Sequence, residues 1–258
     1  MPEGDTAYLA CRRMDAALAG HRLTRSDLRV PRHATADLSG RRVEGVVARG
    51  KHLLHRIEGG LTLHTHLDME GAWHLYRPGD RWRRPAFQAR VVLATETYEA
   101  VGFSLGTVDL VATEREHEIV GHLGPDLLGD DWDPDEAARR LAADPNTAIG
   151  EALLDQRLMA GLGNVYRSEV CYLAGISPET PVGGCDLDHV VALSKRLIEA
   201  NRATGNQITT GDARPGRGRW VYGRDRRPCR RCGTPVVKRS SASGRPLYLC
   251  PSCQPGSA

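Results

Sequence analysis

The sequence predicts an α+β chain: a β-rich sandwich or barrel first, a helical half after it, and a compact cysteine module at the end. Three observations carry this. Short apolar β runs punctuated by Gly, Pro and Asp fill residues 21 to 112. The apolar period becomes helical from Asp133 onward. The last 30 residues hold two Cys-x2-Cys pairs.

A helix is expected over 5–19, with Asp5 or Thr6 as its cap, Leu9, Ala10, Met14, Ala17 and Leu18 as apolar positions, and Gly20 as its stop. Strands are expected throughout 21–112, for example at 42–47, 52–57, 61–64 and 89–93. Residues 125–135 are rich in Gly, Asp and Pro and are taken as a linker. Asp133-Pro134 opens a helix running to Ala143, with Pro at its first position. Further helices are expected at 147–155, 164–174 and 186–203, and 205–228 reads as a Gly/Arg-rich loop. No internal repeat is visible.

The chain has 258 residues, 40% hydrophobic and 26% charged, which excludes a disordered tail. No apolar run approaches the ~20 residues needed to cross a bilayer. The acidic start Met-Pro-Glu-Gly-Asp-Thr lacks the apolar stretch of a signal peptide, so a cytoplasmic protein is expected, nucleoid-associated if bacterial. The net charge of +3 hides an asymmetry. Residues 201–258 carry 12 Lys/Arg against 2 Asp/Glu, whereas residues 1–200 carry 23 against 30. A basic end on an acidic body suits a polyanion partner, although a solubilising tail has the same composition. Lys51, Lys195 and Lys238 are the only lysines among 35 basic residues. Each therefore draws notice, because Arg cannot supply a point-charge ammonium or a deprotonatable amine.

Cys229-x2-Cys232 and Cys250-x2-Cys253 stand 17 residues apart. Each pair is a knuckle that grips one metal from a tight turn, and four thiolates close a tetrahedral Zn2+ shell. A closed shell is structural, not catalytic. Two disulfides are the alternative, which a cytoplasmic location disfavours. Cys11, Cys171 and Cys185 are left as ordinary buried or surface thiols. Arg224, Arg226, Arg227, Arg230 and Arg231 surround the first knuckle, and Lys238, Arg239 and Arg245 lie between the two. A zinc-held hairpin can present such side chains to a phosphate backbone.

The second residue is proline. Removal of Met1 would expose a secondary α-amine with a reference pKa of ~7.7–8.0, against ~10.4 for Lys. Such an amine attacking a sugar C1′ yields a cationic iminium, which acidifies the C2′ hydrogen and opens a route to β-elimination. Glu3 beside it can act as a general acid or base. Gly4 leaves room for close approach. Alone, Met-Pro-Glu-Gly is a weak indication.

Together with further segments it becomes specific. The chain resembles the formamidopyrimidine-DNA glycosylase/endonuclease VIII family of base-excision repair enzymes over nearly its whole length. The resemblance rests on Pro2-Glu3-Gly4-Asp5, on Arg49-Gly50-Lys51-His52-Leu53-Leu54, and on the run Leu153-Leu154-Asp155-Gln156-Arg157-Leu158-Met159-Ala160-Gly161-Leu162-Gly163-Asn164-Val165-Tyr166. It continues through Val221-Tyr222-Gly223-Arg224, Pro228-Cys229-Arg230-Arg231-Cys232-Gly233 and Cys250-Pro251-Ser252-Cys253-Gln254. It implies an N-terminal β-sandwich with flanking helices, then a helix–two-turns–helix domain with a zinc finger, with DNA between them. The divisions it implies are 1–124 for the catalytic sandwich, 125–145 for linker and helix, 146–223 for the helix–two-turns–helix part and 224–258 for the finger. It further implies Pro2 as Schiff-base nucleophile, Glu3 as proton donor, and Lys51 in β-elimination and phosphate contact. Arg245 would be the finger arginine of phosphate binding and δ-elimination. Met69 would be the wedge that fills the gap left by a flipped nucleotide. Asn164 would cap a helix whose N–H groups cradle a phosphate. One structural Zn2+, a damaged or abasic duplex DNA as partner, and a monomer complete the expectation.

Two departures favour the endonuclease VIII branch, which prefers oxidised pyrimidines. Val101-Gly102-Phe103-Ser104-Leu105-Gly106 has no arginine where the purine-lesion branch has its Asp-Pro-Arg-Arg-Phe-Gly loop. Gly150-Glu151-Ala152 lacks that branch's lysine. His122 stands where endonuclease VIII has an arginine, ahead of Leu123-Gly124-Pro125-Asp126. Some apparent motifs carry no chemistry. His64 and His66 share a strand face without a completing carboxylate or thiol. Asp131-x-Asp133-x-Asp135 lacks the rest of a calcium loop. Residues 214–219 match no phosphate loop and read as a mobile basic loop near DNA or a lesion pocket. Competing functions are a catalytically silent zinc-containing DNA- or RNA-binding protein and an N-terminal-nucleophile hydrolase. The hydrolase ranks last because Pro2 has no attacking hydroxyl or thiol.

Overall fold

The computed structural model describes residues 2–241 and 243–256. The chain forms two compact units. Thr6–His122 builds the first together with Pro2, and Glu3–Asp5 groups with the second, which runs from Leu123.

From Thr6 on, the first unit contains α1 (Gly4–Leu18), whose Ala7, Cys11, Met14 and Leu18 repeat at helical spacing and are buried. Its start lies ahead of the expected caps, so Asp5 and Thr6 sit inside the first turn. Eight strands follow: β1 (Arg25–Leu28), β2 (Val43–Arg49), β3 (His52–Ile57), β4 (Leu61–His66), β5 (Ala72–Tyr76), β6 (Ala89–Ala94), β7 (Glu99–Phe103) and β8 (Thr107–Ala112). They form two antiparallel four-stranded sheets, ordered β1-β6-β7-β5 and β2-β3-β4-β8. Leu53, Ile57, Leu63, Val91 and Leu93 join the α1 face in one core. This is the expected β-sandwich. β2, β3, β4 and β6 fall on the runs named above; β1, β5, β7 and β8 lie in the same β-rich stretch, and each mixes polar and small residues into a run of four to six. A short α2 (Glu116–Val120) closes the unit.

The second unit is helical: α3 (Pro134–Ala142), α4 (Ile149–Ala152), α5 (Asn164–Ala174) and α6 (Leu187–Asn201). Asp133 caps α3 by accepting from the Glu136 N–H at 3.0 Å, and Asp186 caps α6 through the His189 N–H at 3.0 Å. Two expectations are corrected. The stretch 125–135 is no free linker: Leu127 is fully buried in the helical core and Asp126 bridges to Ala160. The helix expected over 147–155 shrinks to one turn. Beyond it the chain enters turns tied by Gln156, which donates to Leu154 O at 2.8 Å and Leu162 O at 3.0 Å and accepts from the Gly161 N–H. Residues 205–228 form no helix or strand. The hairpin β9 (Val237–Ser240) and β10 (Pro246–Leu249) ends the described fold between the two cysteine pairs.

Candidate active site and metal centre

Helix α5 begins with orphan backbone N–H groups, as every helix does. Gly163 is its cap, extended at φ −131° and ψ −156° and without a side chain. The acceptor comes from far away in sequence. The Glu3 carboxylate takes the Gly163 and Val165 N–H groups at 2.7 Å each and that of Tyr166 at 3.4 Å. Glu3 is 1% exposed. Its seat depends on glycine: a Cβ on Gly163 would lie 2.6 Å from Glu3 Cδ, and one on Gly4 would lie 2.9 Å from Gly161 Cα. The Gly4 N–H donates to Gly161 O at 2.8 Å, and the Tyr166 hydroxyl donates to Asp5 at 2.9 Å. Burial and the Asp5 charge push the Tyr166 hydroxyl far above its ordinary pKa, so it stays a donor.

The expected cap, Asn164, does other work. It is buried, its Nδ2 donates to Pro246 O at 2.8 Å, and its Oδ1 accepts from Arg167. Arg167, also buried, donates to the same carbonyl at 2.9 Å. The two side chains thus fix the backbone beside Arg245, whose own side chain is exposed at the β9–β10 turn. The α5 N–H groups of Gly163, Val165 and Tyr166 are engaged by Glu3, which corrects the expectation that an Asn-capped start offers them to a phosphate.

Farther along α5, fully buried Glu169 accepts the N–H groups of Trp220, Val221 and Tyr222 at 2.8–2.9 Å and the Thr209 hydroxyl. One carboxylate thereby holds both ends of the 209–222 loop.

In the first unit, Pro2 is half-buried. Lys51 is half-buried in the β2–β3 turn after Gly50, which has φ +57°. The next residue, His52, pairs its Nδ1 with His64 Nε2 at 2.9 Å and stacks on that ring, with His66 and His122 nearby. Burial first, then the neighbouring histidines and Lys51, lower the His52 pKa to about 3, so the ring is neutral near pH 7. Met69 projects from the β4–β5 turn, 64% exposed.

The four predicted zinc ligands converge. Cys229, Cys232, Cys250 and Cys253 have all Sγ atoms within 4.8 Å of one another, with three of the separations at 3.5–3.8 Å. A tetrahedral Zn–S shell at ~2.3 Å requires S···S near ~3.8 Å, whereas a disulfide requires ~2.05 Å. The donor set fits one zinc ion and leaves no open position. The Tyr172 hydroxyl at 3.2 Å and the Arg231 N–H at 3.4 Å face Cys229 Sγ, as a thiolate favours. No other cluster of metal-ligating side chains occurs among the described residues.

Two family models match: the formamidopyrimidine-DNA glycosylase N-terminal domain over residues 1–109 and its H2TH domain over 123–205. The chain belongs to the formamidopyrimidine-DNA glycosylase family. Within that family it is 54% identical to a "Probable endonuclease 8 2" of Streptomyces coelicolor, across 100% of this chain and 95% of that protein. It is 46% identical to the DNA-(apurinic or apyrimidinic site) lyase Nei2 of Mycolicibacterium smegmatis across the full length of both. Identity to endonuclease 8 of Escherichia coli is 30%, across 98% and 100%. The fold matches Lactococcus lactis formamidopyrimidine DNA glycosylase bound to DNA containing an AP site, with TM-score 0.81 and 24% identity across 98% and 99% of the two chains. Sequence reasoning missed Arg167 and Glu169. Both lie in the family's helical motif at spacings of three and five from Asn164, but nothing local says which distant backbone they serve.

Proposed function

We propose that the chain is a bifunctional DNA glycosylase/AP lyase of base-excision repair, of the endonuclease VIII type, acting on duplex DNA that carries an oxidised pyrimidine or an abasic site. Once Met1 is removed, the Pro2 nitrogen attacks C1′, the C1′–base bond breaks, and the departing base takes a proton. The Pro2 nitrogen gives up its proton, the C1′–O4′ bond opens as O4′ takes one, and the resulting C1′ iminium acidifies the C2′ hydrogen. Its loss expels the 3′-phosphate, and a second elimination expels the 5′-phosphate. In this scheme Glu3 handles the proton at the sugar or the leaving base, Lys51 serves β-elimination, and Arg245 holds phosphate for the δ step. Met69 is the wedge, and Asn164 contributes by fixing the finger backbone rather than by touching a phosphate through a helix cap. One structural Zn2+, held by Cys229, Cys232, Cys250 and Cys253, keeps the β9–β10 hairpin in shape.

The observation that carries this reading is the pairing of Pro2 with a buried Glu3 whose carboxylate is seated by 2.7 Å bonds on the first turn of α5. That seat holds a carboxylate next in the chain to the imino acid proposed as nucleophile, where a proton donor for the sugar or the leaving base is needed. Borohydride trapping on abasic-site DNA tests it. The wild type should form a covalent adduct, and Pro2→Gly, or protein retaining Met1, should form none. Absence of an adduct from Met1-free wild type sinks the proposal.

A further inference from the structure

The first unit carries a feature that the proposed chemistry does not use. From the end of β5 into the first residues of β6, residues 77–90 hold five arginines (Arg77, Arg81, Arg83, Arg84 and Arg90) against one acid, Asp80. Within this loop Phe87 is 78% exposed, the most exposed large apolar side chain among the described residues. Disorder does not explain that exposure, because the backbone is fastened on all sides. Phe87 O accepts from Arg90 at 2.9 Å, and Ala86 O accepts from Arg29 at 3.3 Å. The Gln88 N–H donates to Pro85 O at 3.0 Å, and Gln88 O accepts from the Ser104 N–H at 2.8 Å. Trp82 in the same loop is pinned through its Nε1 to Glu99 at 2.6 Å. Arg84 donates to Glu70 O at 2.9 Å, which ties the loop to the turn that carries Met69, the next most exposed apolar residue. Arg77, Arg81 and Arg83 are exposed and form no ion pair with a carboxylate among the described residues.

We infer that Phe87 is a second nucleobase-stacking side chain and that Arg77, Arg81 and Arg83 bind phosphodiesters of the same DNA. A rigid backbone that displays a flat aromatic ring amid unpaired guanidiniums matches the two faces of a nucleic-acid strand, an apolar base surface and a regular run of negative charge. An acidic peptide would satisfy the charge but gives no reason for a fixed, exposed ring. This inference rests on the DNA-processing function proposed above.

The test measures equilibrium affinity for a duplex containing a non-cleavable tetrahydrofuran abasic analogue. Stacking on one base is worth enough that Phe87→Ala should weaken binding roughly tenfold or more. Phe87→Tyr should retain affinity, and Phe87→Leu should lose it, because stacking needs a π face and not merely an apolar one. Arg81→Ala/Arg83→Ala should lower the slope of log K against log salt by about 1.8, at ~0.9 for each phosphate released. Because Phe87 is exposed, the melting temperature of Phe87→Ala should equal that of the wild type, which separates a binding defect from a folding one. Affinity of Phe87→Ala within twofold of wild type, or full affinity in Phe87→Leu, overturns the inference. Failure of the catalytic reading is seen separately, as the absence of a borohydride adduct in a wild type that still binds the duplex.

Discussion

Glu3→Gln separates two roles that coincide in one side chain. Gln keeps the length and one acceptor oxygen but puts an NH2 where the other oxygen stood. In the best rotamer its oxygen still faces the Gly163 and Tyr166 N–H groups, and its NH2 confronts the Val165 N–H, donor against donor. One charge-assisted hydrogen bond is lost, worth about 1.5–3 kcal/mol. Two others fall to neutral strength, at about 0.5–1 kcal/mol each. The favourable placement of a negative charge at a helix N-terminus disappears as well, at about 0.5 kcal/mol or more. Glu3 is buried, so water screens little of this. The sum is about 4 kcal/mol, which lowers Tm by roughly 8–16 °C for a chain of this size. Differential scanning calorimetry at pH 7 reads it directly. A variant that melts within 2 °C of the wild type would mean that the carboxylate is not holding α5, and the placement of Glu3 argued above would be wrong.

Glu169→Gln should leave the helices intact but release the 209–222 loop. Hydrogen exchange at the Trp220, Val221 and Tyr222 amides should accelerate at least tenfold, and unchanged protection would contradict the role given to that carboxylate. Burial lowers the His55 pKa to about 4, against the smaller opposing effect of its bond to Leu63 O. Its neutral form is therefore the native one, and the stability it contributes is complete above an unfolded value near ~6.5 and lost as pH falls toward 4, at about 1.4 kcal/mol per pH unit. Urea titrations at pH 7 and pH 5 should show about 2 kcal/mol less loss in His55→Gln than in the wild type, and equal losses would discount His55. Zinc removal should abolish strand cleavage by loosening the hairpin beside Arg245 while leaving the Pro2 amine chemically intact. Full cleavage by metal-free protein would refute a structural ion.

What could be read in the sequence was set by neighbours along the chain. Two residues between cysteines dictate a turn whatever the fold, so the knuckles were legible. Asp133-Pro134 and Asp186 are local caps, and α3 and α6 begin where they should. The apolar runs Leu53-Leu54 in β3 and Val91-Val92-Leu93 in β6 are strong, and the sandwich follows from such runs. The misses share one cause. Glu3 meets Gly163 across 160 positions, Asn164 meets Pro246 across 82, and Glu169 meets Val221 across 52. Rules that reach about four residues along the chain cannot name partners this distant. Asn164 before a helix is a cap on such a rule, but a buried carboxylate from the N-terminus competes better for the same N–H groups because it is charged. The amide then turns to another partner. Only the family resemblance linked residues 2–5 to residues 153–166, and it named the roles of Pro2, Lys51, Met69 and Arg245 without the contacts that seat them.

Charge totals mislead for the same reason. Residues 201–258 carry an excess of ten positive charges, whereas residues 1–200 carry an excess of seven negative ones. Yet much of that basic end is already engaged. Arg214 pairs with Asp212 and Arg239 with Glu179. Arg224 donates to Trp220 O and Pro228 O, and Arg230 to Gly216 O and Arg219 O. Arg231 lies over the Tyr172 and Trp220 rings at 4.9 and 5.4 Å. Exposed and with no ion pair, side-chain hydrogen bond or ring contact among the described residues are Arg227, Lys238 and Arg245. The first unit offers as many from one loop, in Arg77, Arg81 and Arg83. Counterion release depends on guanidiniums that can reach phosphate, not on the sum over a segment. The salt dependence of DNA binding should therefore fall about as far when Arg77, Arg81 and Arg83 are removed as when Arg227, Lys238 and Arg245 are, although the charge excess of residues 201–258 points to the finger alone.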